Sequence, residues 1–323
     1  MIVIDPSNSI LQALIDKYHH GHATSAERER LGKVLDLDKI YHLHQKYGLS
    51  YHTPNLLVCH ESLNLSDKKV LEVGGCMPPE LTIEVLGCRE WFALESEGYD
   101  AELEKGNQIH RFSEDSKFPE SFTHAIMNIE DLGDEHNNTY DVVFSIAAFE
   151  HIVRFPAALA KMYQVLKPGG MLFAMFAPIW SSFNGHHLPP ITTKSGDVSE
   201  SVASHIPVWG HLLFNRIEMR EYLLKQSIDG ETVDEIVYYI YDSPHINRYF
   251  TEDYLYFIEK SPFIPVDICL TYPVTDPVPE NLLRKIQDKN PGRKAFMNNG
   301  IGLLLKKEND FSNPATPDSV KYF

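Results

Sequence analysis

The sequence predicts an α/β fold: a mainly parallel β-sheet with helices on both faces. Three observations carry this. Short β-rich runs at 69–73, 91–95, 124–129, 140–145 and 171–177 alternate with helical segments, each next to Gly, Pro, Asp or Asn. Strands alternating with helices imply crossover connections, and hence a parallel sheet covered on both sides. The first run, Val70-Leu71-Glu72-Val73, ends in Gly74-Gly75, and glycine after a strand allows close approach of backbone to a ligand. Before the run at 171, Lys167-Pro168-Gly169-Gly170 breaks the chain: proline stops a helix, and the glycines permit a turn into the next strand.

Residues 1–65 read as a helical extension. Ser9-Ile10-Leu11-Gln12-Ala13-Leu14-Ile15 places apolar side chains at helical spacing, and Leu31, Val34, Leu35, Ile40, Leu43 and Tyr47 continue the period less regularly. This extension could cover a ligand, form a contact between copies, or cap the core. Residues 66–179 form the strand–helix core, and 180–250, rich in His, Ser, Pro and aromatics, interrupt it as an insertion. Residues 251–323 complete the core. Thr251 reads as the N-cap of a helix over 252–260, with Glu252 and Asp253 in its first turn and Phe250 and Leu255 at hydrophobic-staple spacing. Strands follow at 266–271 and 300–306, separated by a polar stretch at 275–298; the tail 308–323 is polar and expected to fray.

With 43 % hydrophobic and 23 % charged residues, the 323-residue chain has material for an ordinary core. Its net charge of −16 argues against a nucleic-acid partner, because an acidic surface repels a phosphate backbone, and no Lys/Arg run offsets it. The spacing of Cys59, Cys76, Cys88 and Cys269 fits neither a zinc ribbon nor a disulfide scaffold, so reduced, buried thiols are expected. The start, Met1-Ile2-Val3-Ile4-Asp5-Pro6, does not read as a signal peptide, and no apolar run is long enough to span a membrane. A cytoplasmic setting without membrane attachment is the expectation.

Three segments, in order and spacing, resemble the class I S-adenosylmethionine-dependent methyltransferases: Val70-Leu71-Glu72-Val73-Gly74-Gly75, Tyr140-Asp141-Val142-Val143-Phe144-Ser145 and Leu166-Lys167-Pro168-Gly169-Gly170-Met171-Leu172-Phe173. The resemblance implies a Rossmann-like, seven-stranded sheet, with the run at 252–306 supplying the last helix and last two strands. It implies S-adenosyl-L-methionine as cofactor and S-adenosyl-L-homocysteine as product. Gly74 and Gly75 would then meet the amino-acid part of the cofactor, with Glu72 nearby. The family's usual glycines at alternate positions are not all present, for Cys76 stands at the second and Pro78 at the third. Glu95, ending the second strand about 20 residues after the glycines, is placed to accept the ribose hydroxyls. Asn128 or Glu130 would meet the adenine amino group, and Ile129 would pack on the ring. Ser145 ends the fourth strand, which in similar enzymes lies under the transferred methyl. A nicotinamide enzyme is disfavoured, since G-x-G-x-x-G is absent after the first strand.

Glu150-His151 looks like the acid–histidine pair often found just beyond that strand. Gly185-His186-His187-Leu188 and Ile206-Pro207-Val208-Trp209-Gly210-His211-Leu212-Leu213-Phe214 resemble elements of methyltransferases from glycan and natural-product pathways. Methyl transfer to oxygen needs an aligned acceptor and a group to take its proton. A histidine suits that task, which makes His151, His187, His186 and His211 the candidates, the first two ahead. A metal held by histidines and a carboxylate is the alternative. No Asp-Asp or His-x-x-x-His element stands where metal-dependent methyltransferases place ligands, so no metal is expected. Aromatic residues from Phe176 to Tyr249 could wall a pocket that excludes water.

The sequence reading is therefore methyl transfer to a hydroxyl, less readily an amine, of a small polar molecule or sugar in a biosynthetic pathway. A homodimer is compatible with it. The rival readings are aminopropyl transfer on the same fold, an acceptor tethered to a carrier protein, and a non-catalytic scaffold with a degenerate glycine loop.

Overall fold

The structure, a computed structural model, describes residues 4, 9–20, 22–75, 77–96, 117–188, 191 and 205–308. Four helices lead into the sheet: α1 (Ile10–His19), α2 (Ser25–Gly32), α3 (Leu37–Tyr47) and α4 (His52–Leu63). Side-chain oxygens cap three of them: Ser9 accepts from the Gln12 amide, Thr24 from Glu27 and Asp36 from Lys39. Asp267, in the strand β6 (Ile264–Pro273), accepts from both Ser9 Oγ at 3.0 Å and the Leu11 amide at 2.8 Å, which ties the first helix to the end of the chain.

The other strands are β1 (Lys69–Val73), β2 (Glu90–Glu95), β3 (Phe122–Ile126), β4 (Tyr140–Ile146), β5 (Leu166–Phe176) and β7 (Asn298–Lys306). All seven form one sheet in the order β3-β2-β1-β4-β5-β7-β6. The pairs β3–β2, β2–β1, β1–β4 and β4–β5 are parallel, and β7 runs antiparallel to both β5 and β6. Strand order reverses between β1 and β4, which opens the crevice at their carboxyl ends where sheets of this kind take ligands.

Period-2 alternation divides the strand side chains between two cores. Val70, Trp91, Val142, Phe144, Phe173 and Met175 pack with Leu11, Ile15, Leu43, Leu56 and Val58 of the N-terminal helices. Leu71, Leu94, Val143, Leu172, Ala174 and Phe176 pack with Leu159 and Met162 of α5 (Phe155–Val165) and with Tyr254 and Ile258 of a later helix. The first four helices thus form the cover of one sheet face, the capping role among those open to them.

The insertion builds a third core. Trp180, Trp209, Leu212, Met219, Leu223, Val233, Ile236 and Ile240 gather there from α6 (Gly210–Leu213), α7 (Arg216–Leu224) and α8 (Gly230–Tyr241) and the chain before them. The chain then returns through α9 (Thr251–Lys260) to β6.

Four expectations need correction. Thr251 is not the N-cap of α9: it is the first helical residue, its hydroxyl bonds Ser181 Oγ at 2.8 Å, and Asp253 reaches back to the Phe250 amide at 3.0 Å. The third strand is Phe122–Ile126 rather than 124–129, because the chain turns into a 3-10 helix, Ile129–Asp131, straight after it. Lys167-Pro168-Gly169-Gly170 ends α5 as expected but forms a bulge inside β5: Tyr140 pairs with Leu166 and Val142 already with Met171, with Gly169 at φ +78°. The polar stretch 275–298 contains a helix, α10 (Glu280–Lys289), which puts Ile286 into the insertion's core. The expectation for the tail lies outside the described residues, Glu308 excepted.

Candidate active site

The crevice begins at Gly74, which turns out of β1 with φ +81°. A Cβ there would stand 2.1 Å from the Ala148 Cβ beyond β4, so the two strand ends approach too closely for any other residue. Glu72 is 3 % exposed and turns back into the protein. Its Oε2 accepts from Trp91 Nε1 at 2.7 Å and from the Met77 amide at 2.9 Å. A Cβ on Gly75 would meet its Oε1 at 2.8 Å. Glu72 therefore fixes the glycine turn from beneath. Cys76 falls outside the described residues.

Glu95 closes β2 at the same edge of the sheet, 7 % exposed, with Oε2 3.1 Å from His124 Nε2. His124, on the neighbouring β3, was not anticipated; its signal was only a polar residue in an apolar run. Asn128 starts the 3-10 helix Ile129–Asp131, its Nδ2 3.5 Å from Asp131 Oδ2. Ile129 is buried, and Glu130 lies 3.5 Å from the Arg154 guanidinium. Ser145 donates its hydroxyl to the Val73 carbonyl at 2.8 Å, joining the ends of β4 and β1. Glu95, Asn128 and Ile129 thus line up along the carboxyl edge beyond β2 and β3, whereas Glu72 and Ser145 hold the turn.

Beyond β4 the chain makes a 3-10 turn, Phe149–His151. Asn247 clamps it: Nδ2 donates to the Phe149 carbonyl at 2.6 Å and to that of Ile152 at 3.0 Å, and its amide donates to the Glu150 carbonyl at 2.8 Å. Tyr254 in turn donates its hydroxyl to Asn247 Oδ1 at 2.9 Å. Arg248 braces the loop by donating to the carbonyls of Tyr239, Ile240 and Ile246. Neither Asn247 nor Arg248 was singled out from the sequence. The only hint was the polar string Asp242 to Arg248 between two apolar runs.

On this turn Glu150 and His151 meet His187 and His245. The His151 ring lies 4.8 Å from each of the other two, centroid to centroid, and His187 lies 5.6 Å from His245. His151 Nδ1 is 2.5 Å from the His245 carbonyl oxygen. A carbonyl only accepts, so Nδ1 carries the proton and Nε2 is the basic nitrogen. Glu150 is 0 % exposed, and neither carboxyl oxygen has a hydrogen bond of ordinary geometry. Burial pushes its carboxyl up to about 8, moderated by the nearby amides of Ala177 and of Glu150 itself. Burial, with His245 beside it, brings His151 down to about 4, and holds His187 well below the usual histidine value. At neutral pH both imidazoles are uncharged and carry lone pairs. A carboxyl oxygen of Glu150 and a ring nitrogen of each of His151 and His187 lie within 4.8 Å of one another.

His186 and His211 form a separate pair, ring centroids 5.8 Å apart. His211 Nε2 donates to the Trp180 carbonyl at 2.7 Å, and its ring stands edge-on to Trp180 at 4.5 Å. Burial lowers His186 to about 4 and His211, with His186 adding to it, to about 3. The four candidate histidines thus divide into a pair at the strand end and a pair built into the insertion's wall. Gly185 makes the turn that separates them: a Cβ would lie 2.4 Å from the Ile179 carbonyl oxygen. His187 itself has φ +40°, an unfavourable backbone for a side chain with a Cβ.

Residues 99–174 match the model of a family described as a methyltransferase domain. No curated protein matches the chain by sequence. Among solved structures, an S-adenosylmethionine-dependent methyltransferase from Mesorhizobium loti aligns at 10 % identity and TM-score 0.38, covering 75 % of this chain and 92 % of that one. Phosphoethanolamine N-methyltransferase 2 from Haemonchus contortus, in complex with S-adenosyl-L-methionine, aligns at 14 % and TM-score 0.40, covering 79 % and 52 %. The YcgJ protein from Bacillus subtilis aligns at 10 % and TM-score 0.41, covering 79 % and 98 %. These likenesses are distant.

Proposed function

We propose that the chain is an S-adenosylmethionine-dependent methyltransferase that methylates a hydroxyl of a small polar molecule or sugar, a reading supported by the methyltransferase-domain match over residues 99–174 and by the seven-stranded sheet. The observation that carries the proposal is the convergence of Glu150, His151, His187 and His245 at the end of β4, across from the Gly74 turn of β1.

The residues on the sheet edge fit the cofactor. Gly74 keeps a backbone that a Cβ would block, and Glu95 offers a carboxylate where a ribose would lie. Bound S-adenosyl-L-methionine supplies an electrophilic methyl on a sulfonium sulfur. The chain's own task is to hold the acceptor oxygen in line and to receive its proton. His151 is oriented for this: the His245 carbonyl fixes its tautomer and leaves Nε2 as the acceptor nitrogen. His187 and Glu150 stand beside it and wall the place where the acceptor oxygen would sit.

A surface of net charge −16 favours a small or cationic acceptor over a nucleic acid. The proposal includes a cytoplasmic setting, in keeping with three buried free thiols, Cys59, Cys88 and Cys269. No helix among the described residues is long and apolar enough to cross a membrane.

Incubation with S-adenosyl-L-methionine and a panel of sugars, amino alcohols and phenols tests the reading, with the methylated product followed by mass. Methylation of a hydroxylated compound is expected, and His151→Ala should lower its rate by about 10²–10⁴-fold with cofactor affinity nearly unchanged. Exclusive methylation of amines, or full activity in the variant, would contradict the hydroxyl–histidine reading.

A further inference from the structure

We propose that Glu150, His151 and His187 bind one divalent transition-metal ion of the zinc type. The three donor atoms lie within 4.8 Å of one another. Around an ion with bonds of about 2.0–2.2 Å, ligand atoms stand about 3 to 4.4 Å apart, so small side-chain rotations close the site. The donor set of two imidazoles and one carboxylate is that of catalytic zinc and related centres with positions left open, whereas calcium and magnesium prefer oxygen alone.

The surroundings point to a ligand independently of the spacing. Glu150 is 0 % exposed, and its oxygens meet only the amides of Ala177 and of Glu150 itself, in poor geometry. A buried carboxyl in that condition is costly unless something positive meets it. His187 Nδ1 is also buried without a hydrogen-bond partner. His151 is held by its other nitrogen on the His245 carbonyl, the way metal-bound histidines are commonly oriented. His151 and His187 each keep a minor part of their surface exposed.

The ligands sit on two segments, at 150–151 and 187, fixed by Asn247 and by the Gly185 turn. All three stand among the residues the sequence singles out, but their spacing is not that of a local metal motif, so only the fold brings them together. An ion held through His151 Nε2 would occupy the nitrogen that takes the proton in the metal-free reading, so in the ion-bound chain the acceptor hydroxyl would be activated on the ion and release its proton to solvent water. That role rests on the methyl-transfer reading; the ion site rests on the side chains alone.

The test uses the intact chain, stripped with a chelator and dialysed, then titrated with Zn²⁺ by calorimetry and with Co²⁺ by visible absorption. One ion per chain is expected, with Co²⁺ bands of a nitrogen–oxygen site. Glu150→Gln and His187→Asn should each weaken binding by at least about 100-fold, with circular dichroism confirming that each variant folds, and His44→Gln on α3 should leave it unchanged. A folded chain that binds neither ion, or binds both equally well in the two variants, overturns the proposal. A parallel titration with S-adenosyl-L-methionine separates the claims. Cofactor binding without ion binding removes only the metal site, and ion binding without cofactor binding removes only the transferase reading.

Discussion

Glu72 and Glu95 end neighbouring strands, and their environments give them different tasks. Glu72 meets an indole N–H and a backbone amide, so its carboxylate is committed to the glycine turn. Glu95 meets His124 at the carboxyl edge of the sheet, and the proposed ribose contact is assigned to it. From sequence both were acids at strand ends; only the partner Trp91, 19 residues away, distinguishes them. The histidines separate in the same way. His211 is bonded to Trp180 and buried in the insertion's wall, which brings it down to about 3. The unfolded chain takes up a proton there near the usual 6.5 while the folded one does not. Its contribution is therefore present above pH 6.5 and is lost as pH falls toward 3, at up to about 1.4 kcal/mol per pH unit. Thermal melts of the wild type and His211→Gln between pH 7 and pH 4 check this. The wild type should lose more stability on acidification than the variant, and parallel curves would remove His211 from the account.

Among the elements, the turn Phe149–His151 depends most on distant chain. The strand before it and the helix after it were legible, because alternation and an apolar stripe are local patterns. The clamp was not. Asn247 lies about a hundred residues on, in a polar string without periodicity, and joins the insertion to the end of β4 through the Phe149 and Ile152 carbonyls. Asn247→Ala removes one donor from the Phe149 carbonyl and the one from the Ile152 carbonyl, and leaves Tyr254 only its longer contact with the Phe149 carbonyl. A loss of about 2–3 kcal/mol is expected by denaturant unfolding. A fall in turnover should accompany it without a matching fall in cofactor affinity, because the glycine turn is held separately by Glu72. An equal loss of both would show that the two halves of the crevice are not independent. α10 was missed for a different reason. Half of its residues are charged, and Ile286 is its one buried side chain, with Leu282 packed against the same core.

For the molecule as a whole, the alternation of strand and helix was enough to give the fold class, because a parallel sheet requires a covering helix at nearly every crossover. One sheet of seven strands agrees with the expectation drawn from the three resembling segments. The site was half legible. The residues at the carboxyl edge of the sheet follow from where strands end, which sequence shows, and their cofactor roles remain the proposal. The acid–histidine cluster follows from the insertion folding back onto β4, which no local pattern shows. Cofactor recognition is the central claim, and calorimetric titration of the intact chain with S-adenosyl-L-methionine and S-adenosyl-L-homocysteine, repeated on Glu95→Ala, tests it most directly. Saturable binding of both ligands at one site per chain, lost or weakened by about tenfold or more in the variant through the missing hydrogen bonds to ribose, is the predicted result. A folded wild-type chain that binds neither ligand would contradict the account.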